Sequence, residues 1–340
     1  MKIGIHYSSN SYGAGCIEYM KSNNLDYKVV NAYDSDIVEQ LSDCDIFFWH
    51  HHHLNPKDIL FAKSLLFSLE QSGKKVYPDY RSTWHFDDKV AQKYLLEALE
   101  LPLINSHVFY TKKEALKWIN NQSFPMVHKL KGGASSHNVS LVKNKVEARN
   151  KIRRAFGRGF RATNPRSVLL DDVNKLRTGN GSFVAIIKSL LHFVIPYNIE
   201  KSKGRDRGYA YFQDFIPNCN HDIRVQFIGD ICYAMKRSIR ENDFRASGAN
   251  QIQYDGSRLP KEVIKLAFDI SKKLKMQTLA LDLIPDGNTW KIAEISYAFA
   301  IDDGECDFGF YTNDLIWHKG VFDPYEYMVT YLRTGSCISK

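Results

Sequence analysis

The sequence predicts a protein of mixed α/β and α+β class, and three observations carry that prediction. Strands and helices alternate through roughly the first 105 residues, the signature of a parallel sheet with crossover helices. From Leu103 onward hairpins replace the alternation, with tight turns at Gly229-Asp230 and Pro285-Asp-Gly-Asn288. No run approaches the ~20 apolar residues that span a bilayer, so no membrane insertion is expected. With 340 residues, 44% of them hydrophobic, the chain has room for two or three packed units.

Taken in order, residues 2–7, 27–31 and 45–49 read as strands, with a helix over 14–23. Asn55 caps a helix over 56–72, with Pro56 in the first turn, where its missing N–H costs nothing. Residues 75–77 resume the sheet. A helix over 87–99 opens on Asp87-Asp88, acids suited to the positive end of a helix dipole. Strands follow at 108–110, 126–131 and 139–142, with a helix over 112–120. Residues 149–207 hold one apolar stretch, 183–195, in basic and Gly/Asn-rich surroundings, and read as an insertion. The segment 209–216, two hairpins with a helix over 260–274 between them, and an aromatic tail complete the chain. The tail residues Phe308, Phe310, Tyr311, Trp317, Phe322, Tyr325 and Tyr327 are expected to form core packing around Trp84 and its neighbours. The expected domains are 1–84, 85–207 with its basic insertion at 149–207, and 208–340.

Composition narrows the classes of function. The six cysteines are scattered without a C-x-x-C pair, which argues for free thiols over metal clusters or redox couples. The formal charge of +8 is concentrated between Lys143 and Arg177 without interleaved aromatics, so an anionic small substrate is favoured over nucleic acid. The N-terminus lacks the apolar core of a signal peptide, and a cytoplasmic location follows as the expectation. Oligomeric state is not readable, and a homodimer is compatible.

Three constellations carry chemistry. In Leu279–Ser296 two apolar strands flank the second turn, so Glu294 and Ser296 share a face. A turn centred on Gly287 or Asn288 places Asp282 opposite them. Two carboxylates and a hydroxyl suit magnesium, although a solvated strand face explains them equally well. The turn Gly229-Asp230 pairs Ile228 with Ile231 and, counting back, Asp222 with Arg237. Asp222, Arg224, Gln226, Tyr233, Met235 and Arg237 then form a polar face: a plain ion pair or a wall presenting charge to a nucleotide. In Phe124–Val142 a strand bearing Lys129 enters a Gly-Gly-Ala-Ser-Ser loop, which suits phosphate oxygens but is not a Walker A loop.

The order of these elements resembles the ATP-grasp superfamily, which includes the D-alanine–D-alanine ligases and the ribosomal-protein glutamate ligases. The likeness runs from about Trp84 to Tyr297 through Asp88-Lys89, Phe124-Pro-Met-Val-His-Lys129, Ser135-Ser136, Tyr211–Pro217, Asp222-Ile-Arg224, Lys236-Arg237, Phe244-Arg245, Asp282 and Glu294-Ile-Ser296. It implies an ATP-grasp fold with an N-terminal Rossmann-like pre-ATP-grasp domain and ATP bound between two α+β subdomains. It assigns Lys89 and Lys129 to the ATP phosphates, Ser135 and Ser136 to the loop closing over them, and Gln213, Asp214, Phe215 and Ile216 to the adenine. Asp222 is assigned to the ribose, Arg237 to the phosphates or an acyl-phosphate, and Asp282, Glu294 and Ser296 to two Mg²⁺ ions, with Mn²⁺ as a substitute.

The sequence departs from the family in three places, one of them the 149–207 insertion, which has no clear counterpart in the smaller members. Ser296 stands where Asn is usual, and Ala280 stands where the D-alanine ligases carry an arginine, a role that Arg245 could take over. The run His50–His53 follows a strand at its carboxyl end, where His51 or His52 could contact substrate. Asp302 and Asp303, in an acidic loop after the metal hairpin, could bind an amine or lie on solvated surface. Arg153, Arg154, Arg158 and Arg161 could meet a uronate or sugar phosphate or form a solvated helix face.

The expectation is an ATP-dependent, carbon–nitrogen bond-forming, ADP-producing ligase working through an acyl-phosphate on a small-molecule or sugar-acid carboxylate and an amine. Cell-surface polysaccharide biosynthesis is one setting. An ATP-grasp kinase acting on a hydroxyl, or a nucleotide-binding regulatory protein with a degenerate site, are the alternatives.

Overall fold

Helix starts follow the caps written into the sequence. Asn55 accepts a hydrogen bond from the Lys57 N–H at 3.1 Å and opens Pro56–Gln71. Thr111 Oγ1 accepts from the Glu114 N–H at 3.3 Å and donates to the Glu114 carboxylate at 2.7 Å, which opens Lys112–Ile119. Asn144 accepts from the Glu147 N–H at 3.0 Å ahead of Lys145–Ala155. The computed structural model describes residues 1–9, 11–133, 138–162, 165–177, 179, 181–195, 200, 203–239 and 251–338. The chain forms two compact units: residues 1–86, 95–103 and 218–340 in one, residues 87–94 and 104–217 in the other.

The first unit contains two sheets. Strands β1 (Ile3–His6), β2 (Tyr27–Val30), β3 (Ile46–Phe48) and β4 (Lys75–Tyr77) form a parallel sheet in the order β2-β1-β3-β4, as the alternation of strands and helices predicts. Further along the chain lie β5 (Ser106–Phe109), β6 (Met126–Lys129), β7 (Val139–Val142), β8 (Phe160–Arg161), β9 (Arg205–Asp206) and β10 (Ala210–Asp214), all in the second unit. The other sheet of the first unit is antiparallel. It is built from β11 (His221–Ile228), β12 (Ile231–Ser238), β13 (Ile252–Gln253), β14 (Thr278–Asp286), β15 (Thr289–Ser296), β16 (Gly309–Thr312) and β17 (Trp317–Lys319). Its order is β15-β14-β11-β12-β16-β17, with β13 on β12.

Alternation along these strands divides the large sheet into two faces. Ile223, Val225 and Phe227, with Leu279, Leu281 and Leu283, pack with Val263, Ala267 and Phe268 of the helix Lys261–Leu274. A second core joins Ile3, Ile5 and Tyr12 to Tyr233, Ala280, Phe310, Phe322 and Met328. The tail aromatics are therefore divided between two cores, and only Tyr311 and Trp317 share one with Phe86, close to Trp84 in sequence. Phe310, Phe322, Tyr325 and Tyr327 belong to this second core, Tyr311 and Trp317 to the first, and Phe308 is exposed. The reason is topological: β16 pairs with β12 and carries the tail to that edge of the sheet.

The second unit is an antiparallel sheet in the order β5-β10-β6-β7. Met126 and Leu130 of β6 and its extension pack with Ala115, Ile119, Ala148 and Ile152 of the helices Lys112–Ile119 and Lys145–Ala155. His128 shares their face, and by alternation Val127 and Lys129 take the opposite one. The segment expected to be an insertion carries the two-stranded β8–β9 pair and the helices Pro165–Arg177 and Phe183–Leu191. Phe183, Val184, Ile187 and Val194 lie exposed there. Among the described residues no helix is long and apolar enough to cross a membrane.

Candidate functional site

The hairpin β11–β12 pairs Ile228 with Ile231 and Asp222 with Arg237, the register that the Gly229-Asp230 turn predicts. The polar face of this hairpin is a buried charge network. Arg237 donates through Nε to Asp222 Oδ1 at 2.8 Å and through Nη2 to Asp222 Oδ2 at 2.5 Å. Strand β14 lies on the other side of β11 and places Asp282 opposite Arg224. Arg224 Nε and Nη2 donate to Asp282 Oδ1 and Oδ2 at 2.7 and 2.8 Å. Arg237 Nη2 also reaches Asp282 Oδ1, at 3.0 Å. Burial alone would raise the Asp282 pKa, but the two guanidinium charges outweigh it and hold the carboxyl well below its ordinary value. The five N–H donors of a guanidinium outnumber these bonds, so both arginines keep Nη1 donors for a further oxyanion.

Asp282 also faces Glu294 across the β14–β15 pair, and Ala280 faces Ser296. The turn is the two-residue Gly287-Asn288, and by counting alone it would set Asp282 against Ala293. A β-bulge corrects this: the register shifts between Asp282 and Leu283, and Leu283 then pairs with Ile292. Ile292 enters the core, fully buried, while Glu294 stays on the polar face two residues later. Strict alternation would have put both on one face.

The donor set fits a hard divalent cation. A carboxylate offers about four lone-pair positions; the arginine bonds occupy three of those of Asp282, whose backbone pairs with that of Glu294. Among the described residues no group of three or more His, Cys, Asp or Glu is arranged to hold a metal, so phosphate and water oxygens would have to complete the shell. Ser296 is already engaged locally: its hydroxyl donates to the Ala298 carbonyl at 2.6 Å and accepts from the Ala298 N–H at 3.2 Å.

Two residues on this face escaped the sequence reading as site residues. Arg224 was visible by alternation, but its bond to Asp282 depends on a β11–β14 pairing between distant segments. Glu305 is only 4% exposed, and Gln226 Nε2 lies 3.4 Å from its Oε2. Burial, reinforced by Asp302, pushes its pKa up to about 8, against the pull of Arg224 and Arg237. Gln226 Oε1 and the Tyr233 hydroxyl, on the same face, are buried without a hydrogen-bond partner. The signal for Glu305 was the acidic loop itself. Its neighbours Asp302 and Asp303, chosen in its place, are exposed.

In the second unit, Lys89 starts the helix Lys89–Ala98, and its Nζ donates to the Gly133 carbonyl at 2.7 Å. The Gly133 N–H donates to Asp87 Oδ1 at 2.6 Å, which ties the glycine loop to this helix start. Gly133 has φ +119°, and a Cβ there would meet Asn138 Nδ2 at 2.4 Å, so only glycine fits. Lys129, 6% exposed, lies on β6 between Tyr211 and Val139. The side chain of Gln213 is committed to the sheet, donating to Ser106 Oγ at 2.9 Å. Asp214 ends β10, and Phe215 and Ile216 follow outside the ladder, half-buried. Ser135, Ser136 and Arg245 lie outside the described residues.

The histidine run is mostly interior. His50 stacks on Tyr12 and accepts its N–H at Nδ1, 3.0 Å away, and burial lowers its pKa to about 3. His51 is buried against Thr83, and burial holds its pKa well below the ordinary value. The His52 N–H donates to Asp58 at 2.6 Å, and its Nδ1 accepts from the Leu54 N–H. The expected substrate role of His51 and His52 thus meets a ring packed inside and a ring that caps a turn.

No family model and no curated protein matches the sequence. Solved structures do. D-alanine–D-alanine ligase from Bacillus anthracis superposes with a TM-score of 0.53 at 14% identity, covering 87% of this chain and 86% of that one. A RimK domain protein, ATP-grasp, from Sphaerobacter thermophilus gives 0.52 at 14%, covering 87% and 90%. N5-carboxyaminoimidazole ribonucleotide synthetase from Thermotoga maritima gives 0.58 at 13%, covering 98% and 75%.

Proposed function

We propose that this chain, whose fold is that of the ATP-grasp proteins, is an ATP-dependent carboxylate–amine ligase. The observation that carries the reading is the bulged β14–β15 pair, which sets Asp282 opposite Glu294 beside two guanidinium groups on one sheet face. In the reading, a substrate carboxylate oxygen bonds to the γ-phosphorus of ATP as the bond to ADP breaks. The amine nitrogen then bonds to the acyl carbon of the resulting acyl-phosphate, and phosphate leaves. Asp282 and Glu294 would hold two Mg²⁺ ions, which when bound draw charge from the phosphates. Lys89 and Lys129 neutralise further phosphate charge, and Gln213–Ile216 take the adenine. The Nη1 donors of Arg224 and Arg237 meet the oxyanion that develops as the acyl carbon becomes tetrahedral, where pre-aimed donors contribute most. Glu305, with its raised pKa, takes the proton that the attacking amine sheds.

The carboxylate is proposed to belong to a small molecule or a sugar acid, with polysaccharide assembly as one setting. Incubation with ATP, Mg²⁺ and a library of carboxylates and amines is expected to release ADP and phosphate with one pair. A phosphorylated product that keeps the phosphate would assign a kinase instead. A second reading, a nucleotide-binding regulator, is favoured by the Ser296 hydroxyl turning to Ala298. Tight ATP binding without ADP release for any pair would select it.

A further inference from the structure

The second unit contains a cavity of about 150 Å³ lined by His128, Ser140, Lys151, Arg154, Phe160 and Arg161, among others. A single water needs only about 10–15 Å³ in the same measure, so a polyatomic ligand fits. The cavity is not on the Lys129 face. His128 lies with Met126 on the helix side of β6, against the rings of Phe160 and Phe212. Ser140 pairs with His128 across β6–β7. Lys151 and Arg154 come from the helix Lys145–Ala155 that covers this face.

The charge around this cavity is unbalanced. Arg161 is matched by Glu200, with N–O distances of 2.7–3.2 Å. Lys151 and Arg154 have no ion-pair partner among the described residues. Arg154 Nε donates to the Gly159 carbonyl at 3.1 Å, and its guanidinium stands 4.6 Å from the Phe160 ring centre; Lys151 Nζ is 5.7 Å from the same ring. Each lies in the other's repulsive field, Glu147 is the acid that acts on Lys151, and Arg158 and Arg205 add to the field at Arg154. Half-buried cations so arranged call for an anion. The polar lining is dominated by donors: ammonium, guanidinium, hydroxyl and, in His128, a ring held neutral by burial and these same cations. The matching ligand has several acceptor oxygens and no donors, which describes a phosphoryl group.

We infer that this cavity is a binding site for a phosphate-bearing small molecule, separate from the Lys89 and Lys129 face. The test uses inorganic phosphate and thermal unfolding of the full chain, with chloride matched for ionic strength. At ten times the dissociation constant or more, phosphate is expected to raise the midpoint by about 2 °C or more. Lys151→Met and Arg154→Met should each abolish that rise, whereas Lys129→Met should keep it. In phosphate-free buffer Lys151→Met should leave the midpoint unchanged or higher, because it removes a repelled charge and keeps the stem. A purely structural role for these cations would lower it. A rise that survives in Arg154→Met or vanishes in Lys129→Met, or no rise at all, overturns the inference. If Arg154→Met fails to fold, Lys151→Met and Ser140→Ala decide the case alone.

Discussion

Replacing Glu305 by glutamine tests the electrostatics of the polar sheet face without requiring a substrate. The carboxyl is pushed from 4.5 up to about 8, chiefly by burial. Below pH 4.5 both folded and unfolded chains carry the proton, and the contribution to stability is fully present. As the pH rises from 4.5 to 8 the unfolded chain has lost the proton while the folded one keeps it. The contribution of Glu305 to stability therefore falls across this window, by about 1.4 kcal/mol per pH unit and at most about 5 kcal/mol in all. Above pH 8 the slope disappears. Glutamine keeps the shape and a carbonyl that can accept from Gln226, and it cannot titrate. Urea unfolding at constant ionic strength from pH 5 to 8.5 should show the Glu305→Gln variant gaining about 3–5 kcal/mol on the parent over that range. Parallel stability curves would refute the reasoning, because they would mean that Glu305 ionises in the folded protein as freely as in water.

The other outcomes are as definite. Asp282→Asn removes the charge that two arginines share; it should cost about 3 kcal/mol in urea unfolding and lower ADP release by roughly 10² or more. Ser296→Asn should keep turnover, measured by the same ADP assay. Lys89→Met should raise the KM for ATP about tenfold or more in steady-state kinetics, through one lost phosphate contact worth about 1.5–3 kcal/mol. His50 and His128 are buried with pKa values lowered to about 3, so the stability they contribute is present above pH 6.5 and is lost as the pH falls below it. Urea midpoints taken from pH 7 to 4 in phosphate-free buffer should drop, and His128→Phe should make the drop shallower.

Local chemistry made part of this molecule legible in advance. The Gly229-Asp230 turn fixes the β11–β12 register because two-residue hairpins leave no slack, and Asp222 meets Arg237 as counting demands. Asn55 starts its helix for an equally local reason. The Arg224–Asp282 bond was not legible, since it depends on which distant strand lies beside β11. The bulge before Glu294 was not legible either, because nothing in Ile292-Ala-Glu294 marks an extra residue. The histidine run was expected to meet substrate from its place at the carboxyl end of a strand; its burial was not legible, since His50 and His51 follow a central buried strand and continue its packing inward. Glu305 was hidden by its exposed neighbours, since exposure within a loop is decided by what packs over it.

The arginine–aspartate network has a consequence for how the sheet finds its register. Strands β11 and β14 pair residues as distant in sequence as Ile223 and Leu283 and must align without a connecting turn. A slip of one residue on β14 would drive Asp282 into the layer of Val225 and Phe268 and turn Leu281 toward two guanidinium groups. Burying that carboxylate in an apolar layer costs several kcal/mol, more than any single misplaced leucine. The charges of this face therefore exclude misaligned sheets, so a chain neutralised at all four positions should tolerate alternative pairings that this one rejects.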